Sequence, residues 1–274
     1  MFVRDADIND EMVLLKVTVV AATLCDSEDL NVSNIIYGDQ AERYQFPYQI
    51  SIQEKIYDYR YHHICSGAIL SRRWVITTAY CVYTCKYSIR TVAGALVENE
   101  THSDVQIIDV KKVVVHPNYT GEISENDIAL LRLSSSLLYS KAVSPISLPL
   151  RSIQDNSGAA LISGWNAYYG NLEKGPFKFL FYRIVYILSK EDCARYTMQT
   201  NITSENVLCT EQISKGYCPG ESGNTLSRRG NLIGLSSWGL SPCGVTVYTK
   251  VSSFTSFIKQ FITVRNGPTN VDIY

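Results

Sequence analysis

The chain has 274 residues, 46% hydrophobic and 19% charged, which supplies one large packed unit or two small ones and excludes wholesale disorder. Lys and Arg number 25 against 26 Asp and Glu, a net charge of −1. That balance provides no electrostatic basis for binding nucleic acid or an anionic membrane surface. No apolar run reaches the roughly eighteen residues of a membrane helix, so nothing past the N-terminus reads as a bilayer span. The eight cysteines, Cys25, Cys65, Cys81, Cys85, Cys193, Cys209, Cys218 and Cys243, lack the CxxC pairing of a zinc site. A disulfide-bearing, exported protein is the better reading, and no metal or other cofactor is expected.

Residues 1–11 hold Arg4 among Asp5, Asp7, Asp10 and Glu11, the wrong charge for the start of a secretory signal. Met12 to Leu24 reads as a short apolar signal core interrupted by Lys16, which suggests a translation start at Met12; a buried N-terminal strand is the alternative. Asn31, Asn99, Asn118 and Asn201 each open an Asn-X-Ser/Thr sequon.

Tyr48 to Gln53 alternates apolar and polar residues, the pattern of a half-buried strand. Val105–Val115, Ile128–Leu133 and Phe177–Leu188 are further β-branched or apolar runs. Ser189 to Asp192 resembles a capping box that opens a short helix containing Cys193. Phe254, Phe257, Ile258, Phe261 and Ile262 form one apolar helical stripe, stopped by Asn266-Gly267-Pro268. These elements predict an all-β chain in one or two barrels or sandwiches, closed by a C-terminal helix.

Several strings resemble the trypsin- and chymotrypsin-like serine proteases. Ile35-Ile36-Tyr37-Gly38 and Phe46-Pro47-Tyr48-Gln49-Ile50-Ser51 look like the family's mature start. Cys65 to Leu70 and Trp74 to Cys81 resemble its first cysteine segment and its catalytic-His segment, and Asn126 to Leu131 its catalytic-Asp segment. Cys218-Pro219-Gly220-Glu221-Ser222-Gly223 is similar to the nucleophile loop, Ser237-Trp238-Gly239 to the substrate-binding strand, and Val247 to Val251 completes the order. The resemblance implies two six-stranded antiparallel β-barrels with an active site between them. It also implies a leader over 1–34, a protease domain over 35–265 and a tail over 266–274.

The chemistry of the matched positions departs from the family. A serine hydroxyl is a weak nucleophile that needs a neighbouring imidazole to take its proton. Tyr80 stands at the His position, with Asp127 and Ser222 at the other two triad positions. A phenol with a reference pKa of ~10 is a poor general base near neutrality and cannot relay between a carboxylate and a serine. Of the histidines, His62 and His63 precede Cys65, His102 lies in a charged turn, and His116 lies in a surface-loop motif. All four read as structural or solvated.

Asn34, not Lys or Arg, precedes the new N-terminus Ile35, and its expected partner is Glu221 in place of Asp. Gly220 and Ser222 hold the oxyanion-hole positions, while Asn224 and Thr225 replace Gly and Pro. Gly216 stands where trypsins carry the specificity Asp. Thr246 replaces a Gly of a pocket that Ser237, Trp238 and Gly239 would also line.

The resemblance pairs Cys65 with Cys81, Cys193 with Cys209, and Cys218 with Cys243. Cys25 either leaves with the leader, so that Cys85 stays a reduced or intermolecular thiol, or bridges to Cys85. Asn99, Asn118 and Asn201 are the glycosylation candidates in the mature part. The chain also resembles inactivated arthropod and mite protease paralogues. This implies a secreted protein that binds a protein partner: host defence proteins, or protease substrates and inhibitors. The alternatives are an active endopeptidase with an unusual base or narrow specificity, and residual ligand binding in a remodelled cleft.

Overall fold

The computed structural model describes residues 38–55, 60–83, 85, 87–121, 123, 125–149, 157–165, 179–198, 202, 205–211, 222–239 and 245–262. Six antiparallel strands close the first barrel: β2 (Gln49–Lys55), β3 (Tyr61–Ser71), β4 (Trp74–Thr77), β5 (Ile89–Ala93), β6 (Gln106–Val115) and β7 (Ala129–Leu133). The second barrel uses β8 (Gly158–Gly164), β9 (Phe181–Ile187), β10 (Val207–Thr210), β11 (Thr225–Arg228), β12 (Asn231–Gly239) and β13 (Thr246–Lys250). It closes because β8 pairs with both β9 and β11. The short β1 (Asp39–Gln40) adds to the side of β9. Closure leaves neither barrel with an open hydrogen-bonding edge of the kind that invites other chains.

The expected all-β, two-barrel architecture with a closing helix is the one observed. Ile50, Ile52, Ile69, Val75, Leu131 and Leu133 fill the first barrel, and Ile162, Val185, Leu226, Ile233 and Tyr248 fill the second. Each such side chain contributes ~1.5–3 kcal/mol by leaving water. A third cluster joins Ala68, Ile76 and Leu130 of the first barrel to Leu232 and Leu235 of the second. The C-terminal segment seals that junction. A 3₁₀ turn over Val251–Phe254 runs into α3 (Thr255–Lys259), and Phe254, Phe257, Ile258 and Ile262 pack into the same cluster. The predicted stripe is therefore real, with its first turn wound more tightly than an α-helix. Its expected stop at residues 266–268 lies outside the described residues.

Ser189 caps α2 (Lys190–Thr197) as its sequence suggests: its hydroxyl accepts from the Asp192 N–H at 3.0 Å and donates to the Asp192 carboxylate at 2.8 Å. Disulfides join Cys65 to Cys81 across 5.9 Å between Cα atoms, and Cys193 to Cys209 across 5.4 Å. Cys25, Cys218 and Cys243 lie outside the described residues. Peptide mapping without reduction is expected to recover Cys218 linked to Cys243; another partner for Cys218 would count against the family's nucleophile-loop pattern here.

One expectation changes. The strand beginning near Tyr48 is buried on both faces, not one. Its apolar residues point into the barrel, and its polar ones face the other barrel or neighbouring strands and find partners there. Ser51 Oγ lies 2.7 Å from His63 Nδ1, and Gln53 Oε1 accepts from Arg90 Nε at 2.8 Å. His116 takes the structural one of its two expected roles, because its ring meets Phe254 and Phe257 at centroid distances of 5.3 and 4.9 Å. Burial accordingly lowers its pKa below the ordinary histidine value.

Candidate functional site

Between the barrels, short loops and strand ends deliver Tyr80, Asp127, Ser222 and Ser237 to one place. Tyr80 opens α1 (Tyr80–Tyr83), a single turn directly after β4, anchored by Val82 and Tyr83 N–H groups on the Ala79 carbonyl. Its ring packs against the first-barrel core. The Tyr80 backbone N–H donates to Asp127 Oδ1 at 2.7 Å, and the Ser237 hydroxyl donates to Asp127 Oδ2 at 2.5 Å. Thr249 Oγ1 donates to the Asp127 carbonyl at 2.7 Å, which ties this first-barrel residue to β13.

The Asp127 carboxyl is only 3% exposed. Burial pushes its pKa up to about 6, against the hydrogen bonds from Ser237 and from the Tyr80 and Ala79 N–H groups, which pull it down. Both carboxylate oxygens are thus engaged by donors other than an imidazole. Tyr119, buried beside this group, has its phenol held well above the ordinary range. Burial is the main cause, with Asp127, Tyr80 and Tyr83 adding to it. Tyr119 also meets Tyr83 edge-on at 5.2 Å, and Tyr83 is half-exposed.

Ser222 is held by backbone on both sides. Its carbonyl accepts from the Ser66 N–H at 3.2 Å, and the next N–H, of Gly223, donates to the Ser236 carbonyl at 2.8 Å. Gly223 has φ +82°, and a Cβ there would lie 2.1 Å from the Ser66 carbonyl oxygen, so only glycine fits. The Ser222 hydroxyl donates to the Ser237 carbonyl at 3.3 Å, an acceptor that cannot remove its proton. The histidines lead elsewhere: His63 bonds to Ser51, His102 pairs with Asp104, and His116 sits among phenylalanines.

On the wall beside Ser237, Trp238 is 5% exposed and clusters with Cys193, Val207, Cys209, Val245 and Val247, with Ile123 against them. Gly239 pairs in register with Thr246, which is buried on β13; the Thr246 hydroxyl has no hydrogen-bond partner among the described residues. Asn34, Ile35, Asn201, Gly216, Gly220 and Glu221 lie outside the described residues. Among the described residues no His, Cys, Asp and Glu group could hold a metal ion.

Of the two substitutions after Gly223, Thr225 is built into the barrel interface and Asn224 into the second barrel. Thr225 Oγ1 lies 2.8 Å from Ser163 Oγ and donates to Gln49 Oε1 at 2.8 Å, and the Ser163 hydroxyl reaches the same Gln49 oxygen at 2.9 Å. This buried cluster escaped sequence reasoning, because Gln49, Ser163 and Thr225 are far apart in the chain and none belongs to a hydrophobic pattern. Asn224 is fully buried, and its side chain occupies the space that Gly164 leaves open. A Cβ at Gly164 would lie 1.8 Å from Asn224 Oδ1. Gly164→Ala is therefore expected to cost about 2–3 kcal/mol by overpacking, and Asn224→Gly in the same chain to recover most of it. Denaturant melts of the two single variants and the double variant check this; additive losses would contradict it.

Comparison with known proteins agrees with the geometry. The Trypsin family model matches residues 35–258. A trypsin from Phaedon cochleariae is 31% identical over 258 residues, covering 91% of this chain and 96% of its own length. The anionic trypsin of Canis lupus familiaris is 31% identical over 264 residues, 94% of this chain and all of its own length. The solved structure of GrC superposes with a TM-score of 0.73 at 26% identity, over 82% of this chain and 98% of that one. With two closed barrels, Asp127 and Ser222 both bonded to Ser237, and a match over most of its length, the chain belongs to the trypsin family of serine proteases.

Proposed function

We propose that this trypsin-family chain is a secreted, catalytically inactive member that acts by binding a protein partner, such as a host defence protein or a protease's substrate or inhibitor. The observation that carries the reading is the partnering of the nucleophile-position serine. Its hydroxyl donates to the Ser237 carbonyl, and the Tyr80 ring packs against the first-barrel core. Peptide hydrolysis needs a group that takes the serine proton and returns it to the leaving amine. A backbone carbonyl cannot do so, and a phenol near neutrality holds its own proton.

Secretion is supported by the two disulfides, which persist in oxidising compartments, and by the signal-like stretch Met12 to Leu24. No described helix is long and apolar enough to cross a membrane. A competing endopeptidase reading draws on the retention of Asp127 and Ser222 and on relatives named trypsin. The two are separated by incubating the disulfide-intact protein with unfolded casein and with peptides ending in Arg, Lys, aromatic residues or Ala. No cleavage above buffer is expected. Cleavage that disappears in Ser222→Ala would restore the endopeptidase reading.

A further inference from the structure

The geometry points to Asn118 and Asn99 as N-glycan acceptors, with the Asn118 glycan standing over the Tyr83 side of the inter-barrel cleft. The inference rests on the export half of the proposed function, since the modification is made only on chains that enter the secretory pathway. An Asn-X-Ser/Thr string is common by chance. A folded chain can carry the bulky glycan only where the Asn amide faces outward and gives up no structural contact to the sugar.

Asn118-Tyr119-Thr120 meets that condition. Asn118 and Thr120 are exposed, while Tyr119 between them is buried. The structural bonds of Asn118 run through its backbone alone: its N–H donates to His116 Nδ1 at 3.3 Å, and its carbonyl accepts from Asn126 Nδ2 at 3.4 Å. The side-chain amide is thus left for the sugar, and the turn keeps its shape when the sugar is attached. The residues beside the acceptor lie against Tyr83: the Tyr119 ring meets it edge-on at 5.2 Å, and a Cβ at Gly121 would lie 2.8 Å from Tyr83 Cε1. A glycan one residue away overhangs that edge.

Asn99-Glu100-Thr101 presents its acceptor by a different device. Glu100 turns inward, where its carboxylate accepts from the Leu96 N–H at 2.6 Å and receives the Arg43 guanidinium. Asn99 is thereby lifted onto a turn at φ +64°, exposed along with Thr101. Asn tolerates this left-handed conformation better than most residues.

The test expresses the full chain in insect cells and maps the secreted protein after peptide N-glycosidase F treatment in heavy-oxygen water. Conversion of Asn118 and Asn99 to labelled Asp is expected. A secreted chain with Asn118 unconverted overturns the inference alone, and a chain that never enters the secretory pathway overturns the export reading with it. Hydroxyl-radical footprinting then compares the parent with Thr120→Ala, which deletes the sequon and leaves the Asn118 backbone bonds in place. Tyr83 oxidation is expected to rise at least twofold in the variant and in the enzymatically deglycosylated parent. Equal oxidation in all three would overturn the placement over the cleft.

Discussion

Tyr80→His is expected to leave peptide hydrolysis at the level of buffer. An imidazole placed at residue 80 would find Asp127 already holding the Ser237 hydroxyl and the residue-80 N–H, as a working base requires. That part of the machinery is therefore in place. The rest departs from the family in sequence: Asn224 and Thr225 follow Ser222-Gly223, the residue preceding Ser222 is Glu221, and Gly216 offers no carboxylate to a basic side chain. Trp238, which would flank a bound peptide, is buried in its own cluster. Triad members act as a unit worth about 10⁶ in rate, and the ~10³–10⁴ left without them comes from the oxyanion hole and substrate binding. Here those two supports are themselves altered. Turnover by Tyr80→His that Ser222→Ala abolishes would show that the only missing part is the base.

Asp127 should make the protein less stable as pH rises through the weakly acid range. Its carboxyl titrates at about 6 in the folded chain, above the ordinary value of 3.8, mainly because it is buried. The folded state therefore keeps a proton that the unfolded state releases. The stabilisation is complete below about pH 4 and is lost as pH climbs through 6. The shift corresponds to about 3 kcal/mol in all. Asp127→Asn cannot titrate, and its amide can still accept from the Tyr80 N–H and donate to Ser237 Oγ. Relative to the parent, that variant should gain stability between pH 4 and pH 7, measured as the difference between their denaturant midpoints at each pH. A flat difference would mean that Asp127 is not perturbed.

Much of the fold is legible because the strings around Cys65, Trp74, Asn126 and Ser237 sit at barrel strands and loops whose order admits one chain path. The capping box at Ser189 and the stripe from Phe254 to Ile262 are legible for a more local reason, since four and nine consecutive residues contain the whole signal. The buried polar face of β2 is not. Gln49 and Ser163 meet across 114 residues, and an alternating strand gives no hint that its polar side is enclosed by a second barrel. Tyr80, Asp127, Ser222 and Ser237 can be named from sequence, but their partners cannot. The bond from the Ser222 hydroxyl to the Ser237 carbonyl and the seat of Asn224 against Gly164 exist only once the second barrel is formed. The packing of His116 against phenylalanines follows from closure by the C-terminal helix.

The central claim is that Ser222 is not a working nucleophile, and a fluorophosphonate probe tests it most directly. Such a probe phosphonylates a serine only where a base takes its proton and an oxyanion site receives the phosphoryl oxygen. Secreted, disulfide-intact protein should remain unlabelled under conditions that label an active trypsin to completion. Covalent labelling mapped to Ser222 and absent from Ser222→Ala would contradict the account and make the chain an enzyme.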